Sequence, residues 1–69
     1  MRAIITRPNE DGSYNEVGMN NRTVTGQYKT KKGLLRYGIP DHFKGKLRIE
    51  LFHLSILGNA YETFYYHKH

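Results

Sequence analysis

Basic side chains and aromatic rings are the residues of this chain most able to do chemistry. Eight lysines and arginines stand between residues 22 and 48 against one acidic residue, Asp41, whereas the whole chain has eleven against six. Such a concentration of positive charge attracts polyanions, nucleic acids first among them. A small protein also needs charge of this size merely to stay in solution, so the sequence leaves both interpretations open.

Tyrosine is the second feature, because its ring can fill a core or stack on a nucleic-acid base. The chain has six tyrosines and no tryptophan. We assign Tyr28, Tyr37 and Tyr66 to the core and keep the other three as candidates for ligand contact. The candidate nucleic-acid-binding residues are Lys29, Lys31, Lys32, Arg36, Lys44, Lys46, Arg48, Tyr14 and Tyr65.

The histidines raise the question of a metal site. His67 and His69 are two residues apart, which places them on the same face of a strand. Glu50 is the one carboxylate that a hairpin could bring near His67, and a surface ion pair explains that contact more simply. We therefore expect no metal site and no cofactor.

A ribonuclease would use His42 or His53 as a general base and a nearby cation to stabilise a pentavalent phosphate. The spacing of these residues does not require a catalytic set of this kind. We expect His53 to lie on the core face as a structural histidine. The chain has no glycine-rich phosphate loop, no Ser-His-Asp order and no paired acid motif. We predict that the protein is not an enzyme and has no catalytic residues.

The elements that must position these side chains begin with a strand over residues 2–7, ended by Pro8 and the polar run NEDGS. A hairpin turn at Asn20-Asn21 and a four-residue loop over 30–33 then predict three antiparallel strands. These strands share an apolar face, with the basic residues on the other face. The pairs of this sheet include Val17 with Val24, Tyr28 with Leu35, and Val24 with Ile39.

The last third of the chain fits two structures. We favour a short helical turn over 40–44, a strand over 46–57 and a tight hairpin at Gly58-Asn59 that pairs Leu51 with Tyr66. The alternative is a helix within 40–57, because the apolar residues also fit a helical face. In the hairpin, the predicted core face consists of Leu47, Ile49, Leu51, Leu57, Ala60, Phe64 and Tyr66.

Together these patterns predict a mostly β fold, a small antiparallel meander or partly open barrel of about five to six strands. The alternative is an α+β fold with the helix in 40–57. We expect one domain, residues 1–69, whose stability owes nothing to disulfides because the chain has no cysteine. No segment is apolar enough for a membrane span or a secretory signal, so we expect a cytoplasmic protein.

Two functions fit this fold. The leading hypothesis is a small non-enzymatic nucleic-acid-binding accessory or regulatory protein that uses a basic sheet face and loop. The rival is an inhibitor or adaptor that docks on a larger protein with an acidic surface. Its partner-binding residues would be Phe52, Tyr61 and Tyr65 on the aromatic hairpin. Either function allows a homodimer formed through the uncovered hairpin face.

Overall fold

The chain forms a four-stranded, open antiparallel sheet and a short helical segment. The computed structural model describes residues 1–69. The strands are β1 (Arg2–Thr6), β2 (Arg22–Val24), β3 (Gly45–Phe52) and β4 (Glu62–Lys68), in the spatial order β2-β1-β3-β4. The prediction of a mostly β, antiparallel fold is confirmed, with fewer strands than the five to six expected. The predicted meander is wrong, because β3 pairs with β1 and not with β2. No helix has the length and apolar character needed to cross a membrane.

The helical segment 31–38 consists of an α-helical turn, Lys31–Gly33, that continues as a π-helical turn, Leu34–Gly38. It begins at Thr30, whose hydroxyl accepts a hydrogen bond from the Gly33 N–H at 3.0 Å. The carbonyl of Thr30 accepts another from the Leu34 N–H, also at 3.0 Å. The predicted loop over 30–33 and the strand after it are therefore wrong, because Thr30 acts as a helix cap.

The core lies between one face of the sheet and the helical segment. Ala3 and Ile5 of β1 and three residues of β3 supply the sheet side, and Leu34, Ile39 and Phe43 cover them. A small sheet must bury one face against a second layer, and here residues 31–43 provide it. Further partly buried side chains pack around this core, namely Met1, Tyr28, Leu35, Phe64 and Tyr66.

The three tyrosines assigned to the core differ in how far they are buried. Tyr28 and Tyr66 pack against the core as predicted. Tyr37 is largely exposed, with the Arg36 guanidinium 5.5 Å from its ring centre. The prediction for Tyr37 assumed a strand, in which it would share a face with Leu35, whereas successive positions of a helical turn point in different directions.

The turn at Asn20-Asn21 is present, but the strand predicted before it is absent. The Arg22 N–H donates to the Met19 carbonyl at 3.3 Å, and Asn21 has a φ of 60°. Residues 10–21 instead form a loop, in which Asn15 donates to the Asn20 carbonyl at 2.8 Å. Side-chain hydrogen bonds of this kind compete with strand pairing. As a result β2 pairs with β1, and Val24 lies opposite Ile4 rather than Val17.

In the last third of the chain the strand predicted over 46–57 is confirmed only as far as Phe52, and the helix over 40–57 is wrong. Residues 40–44 make only a turn, closed by the Phe43 N–H on the Pro40 carbonyl at 3.0 Å. A loop over 53–61 replaces the tight hairpin, and Leu47 rather than Leu51 lies opposite Tyr66. This displacement of four residues is even, so each paired side chain keeps its predicted face.

Candidate nucleic-acid interface

Basic side chains converge in an open groove between the helical segment and β4, with a volume of about 660 Å³. We call it the basic groove. Four of its six lining residues carry positive charge and two are apolar or aromatic. The lining residues are Lys31, Lys32, Leu35, Arg36, Tyr66 and Lys68.

Both elements that form the groove are fixed by the core. Leu35 and Tyr66 are partly buried and pack on the core cluster, one from each element. Lys32 and Arg36 stand one turn apart on the helical segment, and Lys68 follows Tyr66 by two residues on β4. Because strand side chains alternate, Lys68 lies on the same face as Tyr66. The cations are therefore attached to packed backbone rather than to loops.

The charge of the groove is only partly neutralised. The Lys31 ammonium lies 2.6 Å from Glu62 and 4.7 Å from the centre of the Phe64 ring. Lys32, Arg36 and Lys68 form no salt bridge. Three cations at one site thus remain free to bind an anion.

A second basic and aromatic cluster lies on the opposite face of the sheet. The rings of Tyr14 and Tyr65 are 5.5 Å apart between centroids. The Lys46 ammonium lies 5.3 Å from the Tyr65 ring centre, and the Arg48 guanidinium lies 5.4 Å from that of Tyr14. Each tyrosine therefore already has a cation near its ring, and the two rings pack on each other.

Arg48 is held inside this second cluster. Only 8% of it is exposed, and its guanidinium contacts Glu16 at 2.8 Å and the Asn15 carbonyl at 2.8 Å. The hydrogen bond and the charge of Arg48 lower the pKa of the Glu16 carboxyl below its usual 4.5. Arg48 thus fastens the loop 10–21 to the sheet, and its paired charge is not free to meet a phosphate.

Glu50 draws two arginines together on the same face. Its carboxylate lies 3.5 Å from Arg48 and 3.7 Å from Arg22, distances that indicate charge attraction rather than short hydrogen bonds. Four buried polar atoms here have no hydrogen-bond partner, namely Thr6 Oγ1, Arg22 Nε, Arg48 Nε and Glu50 Oε1. This cluster is therefore held by charge and is already largely neutral.

The remaining predicted cations lie apart from the basic groove. Lys29 is exposed and makes no salt bridge. Lys44 is also exposed, with its ammonium 3.5 Å from the His69 carbonyl. Of the predicted nucleic-acid-binding set, only Lys31, Lys32 and Arg36 line the groove.

Of the three predicted partner-binding residues, Tyr61 and Tyr65 are exposed, at 45% and 55%, and Phe52 is buried. Phe52 is only 5% exposed, so it offers little to a partner. The Tyr61 ring stacks on His53 with centroids 4.2 Å apart, and Tyr65 packs on Tyr14. The large exposed apolar residues nearby are instead Leu54 and Leu57, at 78% and 87% exposure. Leu57 was expected in the core, but it lies in the loop that replaces the tight hairpin.

The histidines do not assemble into a metal site. The rings of His67 and His69 are 4.7 Å apart, but no group of three potential ligands comes together. His53 is exposed, which corrects the expectation that it lies on the core face. His42 is also exposed and contacts Phe43 edge-on at 4.9 Å.

Sequence reasoning missed Lys68 and Tyr66 as groove residues. Lys68 was overlooked because it lies between two histidines at the end of the chain. The alternation of Phe64, Tyr66 and Lys68 along β4 is the signal that could have placed the lysine beside the rings. For the other wall, the signal was Thr30 followed four residues later by Leu34, a helix start with an apolar residue in the first turn.

Comparisons of the chain with protein-family models, with curated proteins and with solved structures gave no match. The basic groove is therefore the feature of the molecule that indicates a function.

Proposed function

We propose that the protein is a non-enzymatic nucleic-acid-binding accessory or regulatory factor and that the phosphate backbone binds in the basic groove. The observation that supports this proposal is the convergence of Lys32, Arg36 and Lys68, none of them in a salt bridge, on one open groove. A cluster of free cations attracts phosphates at long range and binds them at short range.

The side chains suit this ligand individually. Arg36 can bind two phosphate oxygens at once through its planar guanidinium, and the lysines act as flexible point charges. Leu35 and Tyr66 add apolar surface between them, on which a sugar or base edge can pack. Contacts to phosphate carry no sequence information, so we expect weak dependence on base sequence.

The groove is favoured over the opposite sheet face because of the charges that remain free. On the opposite face, Arg48 is paired with Glu16 and Glu50, and Arg22 lies near Glu50. Near the tilted pair of tyrosine rings on that face, Lys46 is the one cation without an acidic partner. A single lysine releases too few counterions to hold a nucleic acid, whereas three neighbouring cations release several.

Fluorescence anisotropy of labelled single-stranded RNA, single-stranded DNA and duplex DNA tests the proposal. The variant Lys32→Ala/Arg36→Ala/Lys68→Ala removes the free charges of the groove. We expect affinity for the preferred nucleic acid at low salt to fall at least about tenfold. We expect the slope of log affinity against log salt to become shallower by about 2, since each single-strand phosphate contact contributes about 0.7.

The matched control is Lys29→Ala/Lys44→Ala/Lys46→Ala, which changes the net charge equally but leaves the groove intact. Binding by this control should stay close to that of the unsubstituted protein, apart from a modest loss at low salt. Equal losses in the two variants would show a diffuse charge effect and reject the groove. Absence of binding to all three nucleic acids at low salt would reject the function.

A second candidate function is docking on a larger protein, and the exposure of Leu54 and Leu57 favours it. These two leucines of one loop give a partner apolar surface to cover. The variant Leu54→Ser/Leu57→Ser separates the two functions, because it leaves the basic groove untouched. If the second function holds, this variant no longer binds the partner protein, while its affinity for nucleic acid stays unchanged.

A further inference from the structure

β4 is an edge strand whose outer side has no partner. It pairs with β3 on one side, from Glu62 opposite Leu51 to Lys68 opposite Gly45. No other backbone hydrogen bond involves residues 62–68, and no side chain bonds to their backbone. Alternate residues of this seven-residue strand therefore expose unpaired N–H and C=O groups on its outer side.

β4 lacks most of the usual protections of a sheet edge. Natural edges are short, or carry proline, bulges or charged side chains, whereas β4 is charged only at its two ends, at Glu62 and Lys68. The other edge, β2, follows this rule with only three residues. In contrast, β4 has no proline or glycine, and the middle of its sequence ETFYYHK is aromatic. Tyr65, at the centre of the strand, is more than half exposed.

The sequence of β4 is complementary to itself when two copies run antiparallel. If the two-fold axis passes through Tyr65, Glu62 of one copy faces Lys68 of the other at both ends. Phe64 then faces Tyr66, and the two Tyr65 residues face each other. Opposite charges and aromatic pairs across antiparallel strands are stabilising, and like charges are not. A parallel pairing in register would instead set Glu62 against Glu62.

We propose that the protein forms a two-fold symmetric dimer by antiparallel pairing of β4 with β4, centred on Tyr65. The paired edges join the two sheets into one sheet of eight strands. Because the axis is perpendicular to the sheet, both helical segments lie on the same side of it. The two basic grooves, each of which contains Tyr66 and Lys68 of its β4, then flank the axis. Glu62, which pairs with Lys31 of its own chain at 2.6 Å, also faces Lys68 of the other copy, so Lys32 and Arg36 are the groove cations that keep no acidic partner in the dimer. The dimer does not depend on nucleic-acid binding and is tested without it.

Disulfide trapping tests the dimer directly, because the chain has no cysteine of its own. In the proposed register the Cα atoms of the two Tyr65 residues are about 5 Å apart, within the range that a disulfide spans. Two Thr63 residues are displaced along the strands by four positions, roughly 13 Å. We therefore expect Tyr65→Cys to form a covalent dimer under mild oxidation and Thr63→Cys to stay monomeric on denaturing gels.

The trapping result is read together with light scattering of the unsubstituted protein over a range of concentrations. A dimer in solution and trapping at position 65 alone would support the proposal. Equal trapping at positions 63 and 65 would indicate parallel pairing and overturn it. A dimer that is not trapped at position 65 would place the interface elsewhere. A monomer at the highest soluble concentration would also overturn the proposal.

Charge reversal provides a second test that leaves Tyr65 in place. Glu62→Lys alone sets two lysines opposite each other at both ends of the interface, and we expect dimer affinity to fall about tenfold or more. Adding Lys68→Glu restores opposite charges and should restore the dimer. The control Glu10→Lys changes the net charge as Glu62→Lys does, and the control Lys31→Ala removes the partner of Glu62 within the chain; both should have little effect on the dimer. Failure of the second reversal to restore the dimer would contradict the register.

Discussion

At the scale of single residues, the decisive property of a cation is whether an acidic neighbour already holds it. Arg48 and Lys68 have the same formal charge, but Arg48 is bound to Glu16, whereas Lys68 is unpaired. Burial by itself lowers the pKa of Arg48, yet its hydrogen bond to Glu16 and the charge of Glu50 outweigh this effect, so the guanidinium stays charged. Arg48 therefore serves the fold, whereas Lys68 has no acidic partner within its own chain.

The contact between Arg48 and Glu16 predicts a pH dependence of stability. The pKa of Glu16 is lower in the folded chain than the usual 4.5, mainly because of its hydrogen bond with Arg48. The stabilisation is therefore complete above about pH 4.5 and is lost as the pH falls through the lowered, folded-state pKa. We expect Glu16→Gln to reduce the free energy of unfolding at neutral pH and to have little effect in strong acid.

Urea unfolding of both proteins at several pH values provides the measurement. The pKa of Asp11 is also lowered, by its hydrogen bonds with Ser13, but this residue is present in both proteins and cancels in the difference. Glu10→Gln, at an exposed position without an ion pair, is the control and should match the unsubstituted protein at neutral pH. A difference between Glu16→Gln and the unsubstituted protein that does not shrink in acid would contradict the role of this ion pair.

At the scale of elements, the helical segment 31–38 both covers the core and carries one wall of the groove. The end of this segment, at Gly38, lies very close to residues 25–28 of the same chain. A Cβ atom at this position would lie 3.1 Å from the Tyr28 ring and 3.3 Å from the Thr25 methyl group. A side chain at this position would press on both groups, and they would have to shift by a few tenths of an ångström.

This close approach predicts a cost for a single methyl group. We expect Gly38→Ala to lower the free energy of unfolding by about 1–3 kcal/mol, because the ring or the helical segment must shift. Thermal or chemical unfolding measures the change. Gly26→Ala is the matched control, since nothing lies within 4 Å of its Cβ position. Equal changes in the free energy of unfolding for the two substitutions would contradict the close contact at Gly38.

The helical segment is also the element that local sequence patterns described least well. The apolar residues of the segment TKKGLLRYGI also fit a loop followed by the third strand of a meander. Its actual structure depends on the need to cover Ile5, Leu47 and Ile49, which are brought together only when β1 and β3 pair. The hydroxyl of Thr30 was a local signal for the helix, but the choice between strand and helix depends on that long-range contact.

At the scale of the whole molecule, the faces of the sheet were easier to predict than the partners of the strands. Alternation along β3 and β4 identified the inward-facing Leu47, Ile49 and Phe64, although the register was displaced by four residues. Alternation does not specify which strand is the neighbour of which. Thus β2 pairs with β1 instead of with residues 13–19, and the basic residues fall on two sides of the sheet.

This division of the charge explains how much of the candidate site was predictable. The sequence indicated a basic region over residues 22–48, and three of its cations do line the groove. Lys68 joins them only because β4 returns beside the helical segment. Arg48 leaves them because β3 turns it to the opposite face, where Glu16 and Glu50 bind it. The distribution of charge along the sequence predicts neither the position of Lys68 nor that of Arg48.

The measurement that tests the central claim most directly is a nuclear magnetic resonance titration of the isotope-labelled protein with the short oligonucleotide that binds best. The basic groove predicts the largest chemical-shift changes in the amides of residues 31–36 and 66–68, and small changes at Tyr14, Lys46 and Tyr65. The largest changes at Tyr14, Lys46 and Tyr65 would instead place the ligand on the opposite face of the sheet. That result, or a spectrum that does not change at low salt, would contradict the account.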